Sequence, residues 1–390
     1  MFIFKPAYKW QKMTEHKKNG RLRFLQGLGL GLIGLPASLK LLLDNPAKTS
    51  SSTNRNISSG KTYNWKLVTT WPPNFPILGE ACTLFSKWVD TMSAGRLKIQ
   101  VFGGGELVPA LECFDAVRRG AAEMSHGAAY YWAGKTSAAQ FFASVPFGMN
   151  AQQFNSWLIG GEGLQLWQEL YEPFNLIPFP GGNSGVQMGG WFNKEINTIE
   201  DFKGLKMRMP GLGGKVLSKI GASPVLISGG ELYTSLERGV IDATEWMGPF
   251  HDYKMGFHEI AKYYYFPGWH ETGTQLEFTV NKEKYQSLPA DLQEIVRSAC
   301  MRVNDWLLYT LEYQNALFLE KIKNETEVEI RNFPEEVLQS LRVAASKEIE
   351  LIANKDAISK KIYGSYKAFR ARIDPWSAVS ERMYYSVLNK

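Results

Sequence analysis

Between Trp65 and Phe102 the chain reads as a strand, a helix and a second strand in immediate succession. Trp65–Thr70 is strand-like. Gly79–Ala94 carries Leu84, Phe85, Trp88, Val89 and Met92 at helical spacing and stops at Gly95, and Leu97–Phe102 alternates as the next strand. That order implies a parallel pair joined by a right-handed crossover. A further helix is expected over Leu107–Arg119. In open α/β sheets ligands lie beyond the carboxyl ends of the strands. Three segments occupy such positions here: the proline-stiffened loop Trp71–Pro76, Gly103–Glu106, and Tyr130-Tyr131-Trp132. The triple glycine at 103–105 lacks the Lys-Ser/Thr that would make it a phosphate cradle.

The alternation recurs downstream. Val186–Phe192 reads as a strand, Thr198 precedes a short helical turn, and Leu205–Met209 alternates up to Pro210-Gly211. Gly213–Ile220 reads as a helix, Ala222–Leu226 begins a strand, and Glu231–Glu237 is helical. Gly239–Trp246 is then a strand with Val240 and Ile241 as its apolar core, stopped by Gly248-Pro249. Its tip places Glu245 beside Trp246. Neighbouring strand side chains point to opposite faces, so both side chains are not expected to serve one surface. If both serve one pocket, Trp246 does so partly through its backbone carbonyl; the alternative is a strand end with a solvated Glu245 and a core Trp246. Two α/β lobes of this kind make a clamshell with the ligand between them.

The 390 residues are 44% hydrophobic, enough for a large core and two packed domains. The net charge of +6 is not spread evenly. Residues 1–60 hold ten Lys/Arg and two Asp/Glu, which leaves 34 basic and 36 acidic residues beyond them. A near-neutral folded part implies no nucleic-acid partner. Cys82, Cys113 and Cys300 have no metal-like spacing and read as buried small residues, with a disulfide between two of them as the alternative.

The basic excess precedes a short Gly-rich apolar run, Phe24–Ser38, as in an export signal, so residues 1–45 are expected to be that signal or an N-terminal anchor in the periplasm. Arg21-Leu22-Arg23 is similar to a twin-arginine motif but has Leu22 between the arginines. No cysteine follows the run, which excludes a lipid anchor there, and no clean small-x-small cleavage site is present. Residues 46–61 read as a Ser-rich linker. Beyond it, 62–186 is the expected first lobe, 187–245 the second, 246–281 crossover and return strands, and 282–390 a helical region.

In that last region Pro289 opens one helix with Leu292, Ile295, Val296, Ala299, Val303, Trp306 and Leu307 on one face, and Pro334 opens a second. A third carries Ile362, Tyr366, Phe369 and Ile373 and is expected to be interrupted at Pro375. The apolar series Trp376, Val379, Met383, Tyr384 beyond it reads either as a contact with a partner subunit or as a helix folded back on its own domain.

Several segments resemble one family in its order and spacing: Gly204-Leu-Lys-Met-Arg-Met-Pro-Gly, Gly221-Ala-Ser-Pro-Val, Leu236-Glu-Arg-Gly-Val-Ile-Asp-Ala-Thr-Glu-Trp and Pro267-Gly-Trp-His-Glu. They are similar to the solute-binding proteins of TRAP transporters, over roughly residues 62–385, and closest to the branch that binds 2-oxo acids with a cation. The resemblance implies a periplasmic-binding-protein-like α/β fold with long C-terminal helices. It also implies delivery of a small 2-oxo or 2-hydroxy monocarboxylate to a TRAP membrane permease, and a homodimer. It assigns Arg208 to the ligand carboxylate, where a planar guanidinium fork suits the chemistry. Gln187, Glu245 and Trp246 match cation-binding positions, with Glu271 as a further ligand; Gln187 and Trp246 also border the substrate. These hard oxygen donors suit Na⁺ or, as the alternative, Ca²⁺. His270 is either a polar ligand contact or a structural histidine, and Trp269 and Tyr263-Tyr264-Tyr265 read as core or cleft wall.

An enzyme on small carboxylates is the competing class. It is disfavoured because no nucleophile–base motif is present: no Gly-x-Ser-x-Gly elbow and no zinc pattern. A receptor that feeds a sensor instead of a permease needs the same closing clamshell.

Overall fold

A computed structural model of the protein describes residues 61–388. The expected export segment, and all of the linker except Lys61, lie outside the described residues. No helix among the described residues is long and apolar enough to cross a membrane.

Strands β1 (Tyr63–Thr69) and β2 (Leu97–Phe102) pair in parallel, from Tyr63 opposite Leu97 to Val68 opposite Phe102. The helix Leu78–Met92 crosses between them and buries Leu78, Ala81, Cys82, Phe85 and Val89, the one-face spacing read in the sequence. Phe85 stacks on Phe278 with ring centroids 4.4 Å apart, which fixes the helix to the sheet. With β3 (Met124–Ala128), β4 (Leu176–Asn183) and β10 (Gln275–Asn281) these strands form one sheet in the order β2-β1-β3-β10-β4. The late strand β10 is antiparallel to both its neighbours.

The second sheet takes β5 (Gly190–Phe192), β6 (Lys206–Arg208), β7 (Ser223–Val225), β8 (Ala243–Thr244), β9 (Tyr263–Phe266) and β11 (Glu329–Asn332), in the order β11-β9-β5-β8-β6-β7. Its strands are shorter than the sequence suggests. Of Gly239–Trp246 only Ala243-Thr244 enters the ladder, and Val240, expected in the strand core, is 58% exposed. The chain around it is a turn after the helix Leu232–Glu237, with Val240 N–H donating back to Ser235. Val186–Phe192 likewise joins the ladder only from Gly190, whose φ of 122° departs from regular strand backbone. The expected helix over 107–119 is a 3₁₀ turn at Ala110–Glu112 followed by a helix at Cys113–Arg118, starting after Pro109.

Ala290–Glu325 is one 36-residue helix, with Leu292, Val296, Ala299, Val303, Leu307 and Leu311 buried along it. Glu335–Ala353 and Ala357–Val379 follow. The last of these runs through Pro375 and ends at Val379, so Pro375 does not interrupt it. A proline removes one backbone donor, and the remaining turn is held by the Ser380 N–H on the Trp376 carbonyl. The three cysteines are free and buried.

A buried polar cleft around Arg208 and Glu245

Arg208 ends β6 and Glu245 follows β8, which pairs with β6 in parallel, so the two side chains start from adjacent strand tips. Both are 1% exposed. Arg208 Nη1 donates to Glu245 Oε1 in an ion pair and to the Glu245 carbonyl at 3.2 Å. Its Nη2 donates to the Tyr131 hydroxyl at 3.4 Å. Burial opposes the arginine charge, but Glu245, the two tyrosines and Glu271 outweigh it and hold the guanidinium protonated beyond its ordinary range.

The Arg208 guanidinium also lies 5.0 Å from the Trp246 ring centroid. Glu245 and Trp246 therefore meet the same group with both side chains, against the expectation from strand alternation. Two facts explain it: both residues lie past the end of the β8 ladder, and a guanidinium is wide enough to take a carboxylate on its edge and a ring on its face. The ring is held by Trp71 (6.2 Å) and Phe75 (5.9 Å), from the loop after β1. Of the three segments expected at the ligand mouth, that loop and Tyr130-Tyr131 reach this cluster. Gly103–Glu106 serves as a support instead: a Cβ at Gly103 would stand 2.6 Å from Pro73 Cα.

Gln187 and Glu271 come from separate segments tied through their backbones. Gln187 N–H donates to the Glu271 carbonyl at 3.1 Å, and Gly268 N–H donates to the Gln187 carbonyl at 2.9 Å. A Cβ at 268 would overlap that carbonyl, so Gly268 is required by the close approach. Gln187 Nε2 donates to Glu271 Oε2 at 2.7 Å and to Ser184 Oγ at 3.0 Å, and Thr274 Oγ1 also donates to Glu271 Oε2. Burial, reinforced by the charge of Glu245, pushes the Glu271 carboxyl up to about 7.

His270, read with two alternatives above, stands inside this group. Glu245, His270 and Glu271 offer donor atoms that all lie within 4.8 Å of one another. Thr274, Ser184 and Tyr131 are further members that sequence reasoning missed or placed only loosely. A Ser or Thr beside a return strand carries no signal until its partner is known. Trp269 stacks on Phe147 behind the cluster, and Tyr264 stacks on Trp191 within the second sheet, so both are wall or core.

Several atoms here are buried and lack a hydrogen-bond partner: Gln187 Oε1, Glu245 Oε2, Trp246 Nε1 and both ring nitrogens of His270. Buried polar groups are normally paired. Arg208 is the one buried Lys or Arg among the described residues, set against two buried carboxyl groups. Unpaired oxygens and surplus negative charge fit a hard cation, and unpaired N–H groups fit an anion's oxygens.

Comparison with known proteins agrees with this geometry. Residues 67–356 match the family described as bacterial extracellular solute-binding protein, family 7 (DctP). The chain is 42% identical over 320 residues to a monocarboxylate 2-oxoacid-binding periplasmic protein of Nostoc sp., covering 82% of this chain and 87% of the relative. It is also similar to two crystal structures of TRAP periplasmic solute-binding proteins, each at 45% identity and a TM-score of 0.82, covering 84% of this chain and 99% of theirs. One, from Pseudoalteromonas atlantica, holds sodium and pyruvate, and the other, from Colwellia psychrerythraea, holds calcium and pyruvate. These matches span most of the described residues, and the chain belongs to the DctP family of TRAP solute-binding proteins, receptors rather than enzymes.

Proposed function

We propose that this protein is the extracytoplasmic receptor of a TRAP transporter for a small 2-oxo or 2-hydroxy monocarboxylate of the pyruvate kind, taken up with Na⁺ or Ca²⁺ and passed to membrane permease subunits. The observation that carries this reading is the set of unpaired buried atoms around the Arg208–Glu245 pair. The 2-oxo acid named for the Nostoc relative, and the pyruvate held by both similar crystal structures, support it.

Arg208 reads the carboxylate of the ligand. Half of its fork is occupied by Glu245, and the remaining Nη2 donor faces Tyr131. Gln187, Glu245, Glu271 and the backbone of Trp246 would hold the cation, which when bound supplies positive charge between the two carboxylates. Positive charge beside Glu245 would ease its demand on Arg208 and free guanidinium donors for the ligand. Ligand and cation are thereby coupled: each improves the other's affinity through one shared ion pair. The rings of Trp246, Trp71 and Phe75 exclude water and strengthen these charge interactions.

The boundaries at 62–186, 187–245, 246–281 and 282–390 remain our division of the lobes. The composition of the two sheets supports it in part, since β9 and β10 return to them from within 246–281, whereas β11 joins the second sheet from within 282–390. Homodimerisation through the C-terminal segment is supported by the exposure of Trp376, Val379, Met383, Tyr384 and Tyr385. Export to the periplasm through residues 1–45 is supported by their charge pattern.

Titration calorimetry with pyruvate in Na⁺, in Ca²⁺ and in chelated buffer with the sodium exchanged out tests the reading. Tight binding that weakens without a cation is the expected result. Equal affinity in all three buffers removes the cation, and no binding in any removes the ligand class.

A further inference from the structure

His270 is the one histidine among the described residues that leaves both ring nitrogens unpaired while buried; His251 and His258 each leave one. Its side chain is fully buried, and its Nε2 lies 3.5 Å from Glu245 Oε2, too far for a hydrogen bond. The backbone position is nonetheless well determined. The His270 carbonyl accepts from Ser144 Oγ at 3.3 Å, and the ring lies edge-on to Trp269 at 5.4 Å. On the other side the helix Gly211–Lys219 comes so close that a Cβ at Gly213 would stand 3.0 Å from His270 Cβ. A side chain clamped on several sides, with its polar atoms left empty, is placed for something that arrives later.

What arrives can be argued from Glu245. Its Oε1 is taken by Arg208 Nη1, while its Oε2 is unpaired and is the atom His270 Nε2 faces. The carboxylate thus lies between two donors, the Arg208 guanidinium and the His270 ring. An imidazole in either protonation state carries at least one N–H. A small organic acid with an oxygen on the carbon next to its carboxylate presents two oxygens side by side, the same spacing problem that Glu245 poses.

Resting on the functional reading above, we propose that His270 is a ligand-contacting residue. It donates a ring N–H to the oxygen at C2 of the bound acid while Arg208 holds the carboxylate. It is thus a determinant of preference for 2-oxo and 2-hydroxy acids over acids without that oxygen.

The test measures pyruvate affinity by calorimetry across a cation titration, for the full protein and for His270→Phe and His270→Gln. The phenylalanine keeps ring bulk and deletes both donors, and the glutamine restores an N–H. The expected result is a loss of about tenfold or more at saturating cation in His270→Phe, the scale of a donor to a charged ligand. Partial recovery is expected in His270→Gln, with the half-saturating cation concentration unchanged. Should the phenylalanine variant fail to fold, His270→Leu makes the same deletion in less volume. Undiminished affinity in the deletion variant overturns the proposal. Equal losses in both variants overturn it too, by making the ring a packing element. A shifted cation midpoint with wild-type affinity at saturation overturns it by making His270 a cation ligand. Failure of the unaltered protein to bind any 2-oxo acid is a distinct result, which strikes the functional reading and this inference with it.

Discussion

Arg208 Nη1 donates to both the carboxylate and the main-chain carbonyl of Glu245, and the two side chains are buried together at the tips of neighbouring parallel strands. On the functional reading proposed above, the pair is an internal stand-in for the complex: a guanidinium already holding a carboxylate where a ligand carboxylate would be read.

Removing one partner of such a pair leaves the other charge buried alone. Arg208→Ala is expected to abolish ligand binding and to lower stability by about 3–5 kcal/mol, the range for a broken buried pair. Arg208→Lys retains the charge without the fork and is expected to fold better but still bind weakly. Denaturant unfolding and calorimetry on the two variants separate the effects; ligand binding retained by Arg208→Ala removes this residue from the site.

Glu277 gives a pH signature away from the cleft. It accepts from Trp132 Nε1 at 2.6 Å and from the Tyr171 hydroxyl at 3.0 Å, and burial pushes its carboxyl up from 4.5 to about 7. The folded state therefore keeps a proton that the unfolded chain has lost between those values. Stability from this group is fully present below about 4.5 and is lost as pH rises to about 7, on the order of 3 kcal/mol in all. Subtracting the pH–stability curve of Glu277→Gln from that of the unaltered protein isolates this slope. Asp252, raised to about 7 by burial, contributes a slope of the same sign that remains in the variant. A flat difference curve counts against it.

Glu271 is raised to about 7 within the cleft itself, by burial and by Glu245. On the proposed reading, a proton there and a cation would compete for the same carboxylate. Cation affinity is expected to weaken as pH falls below about 7, with proton release on binding. Calorimetry in two buffers of different ionisation enthalpy measures that release, and Glu271→Gln should abolish it.

Gly229 makes room for Trp246: a Cβ there would stand 2.6 Å from Trp246 Cη2. Gly229→Ala is expected to push the ring off the Arg208 guanidinium at a cost of about 1–3 kcal/mol, typical of overpacking. Weaker ligand binding with little change in far-ultraviolet dichroism is the expected readout, and unchanged affinity the contrary one.

The last helix, Glu381–Leu388, buries none of its residues, and Trp376, Val379, Met383, Tyr384 and Tyr385 are all more than half exposed. Ending the chain after Pro375 is expected to convert a dimer to a monomer in sedimentation velocity while ligand binding persists. A full-length protein that sediments as a monomer rules out the dimer.

Local pattern determined a good deal of this protein. Helical spacing in Leu78–Met92 and along Ala290–Glu325, and the strand–helix–strand order around β1 and β2, follow from periodicity alone, because burying one face needs only the right side chains at the right interval. Arg208, Glu245, Trp246 and Glu271 could be singled out as well, since each sits in a short segment with the family's residue order, and Gln187 as a position matching the family's cation site. Other features were decided by tertiary packing. Glu245 and Trp246 lie past the end of a two-residue ladder, so both side chains reach one guanidinium. Gln187 meets Glu271 across 84 residues of chain because Gly268 lets two backbones touch. His270 joins the cleft because Gly213 and Ser144 hold it there. A periodic pattern specifies which face is buried, whereas the meeting of polar groups depends on where separate segments end. That is set by glycines, short ladders and close backbone approaches formed only when the whole chain packs.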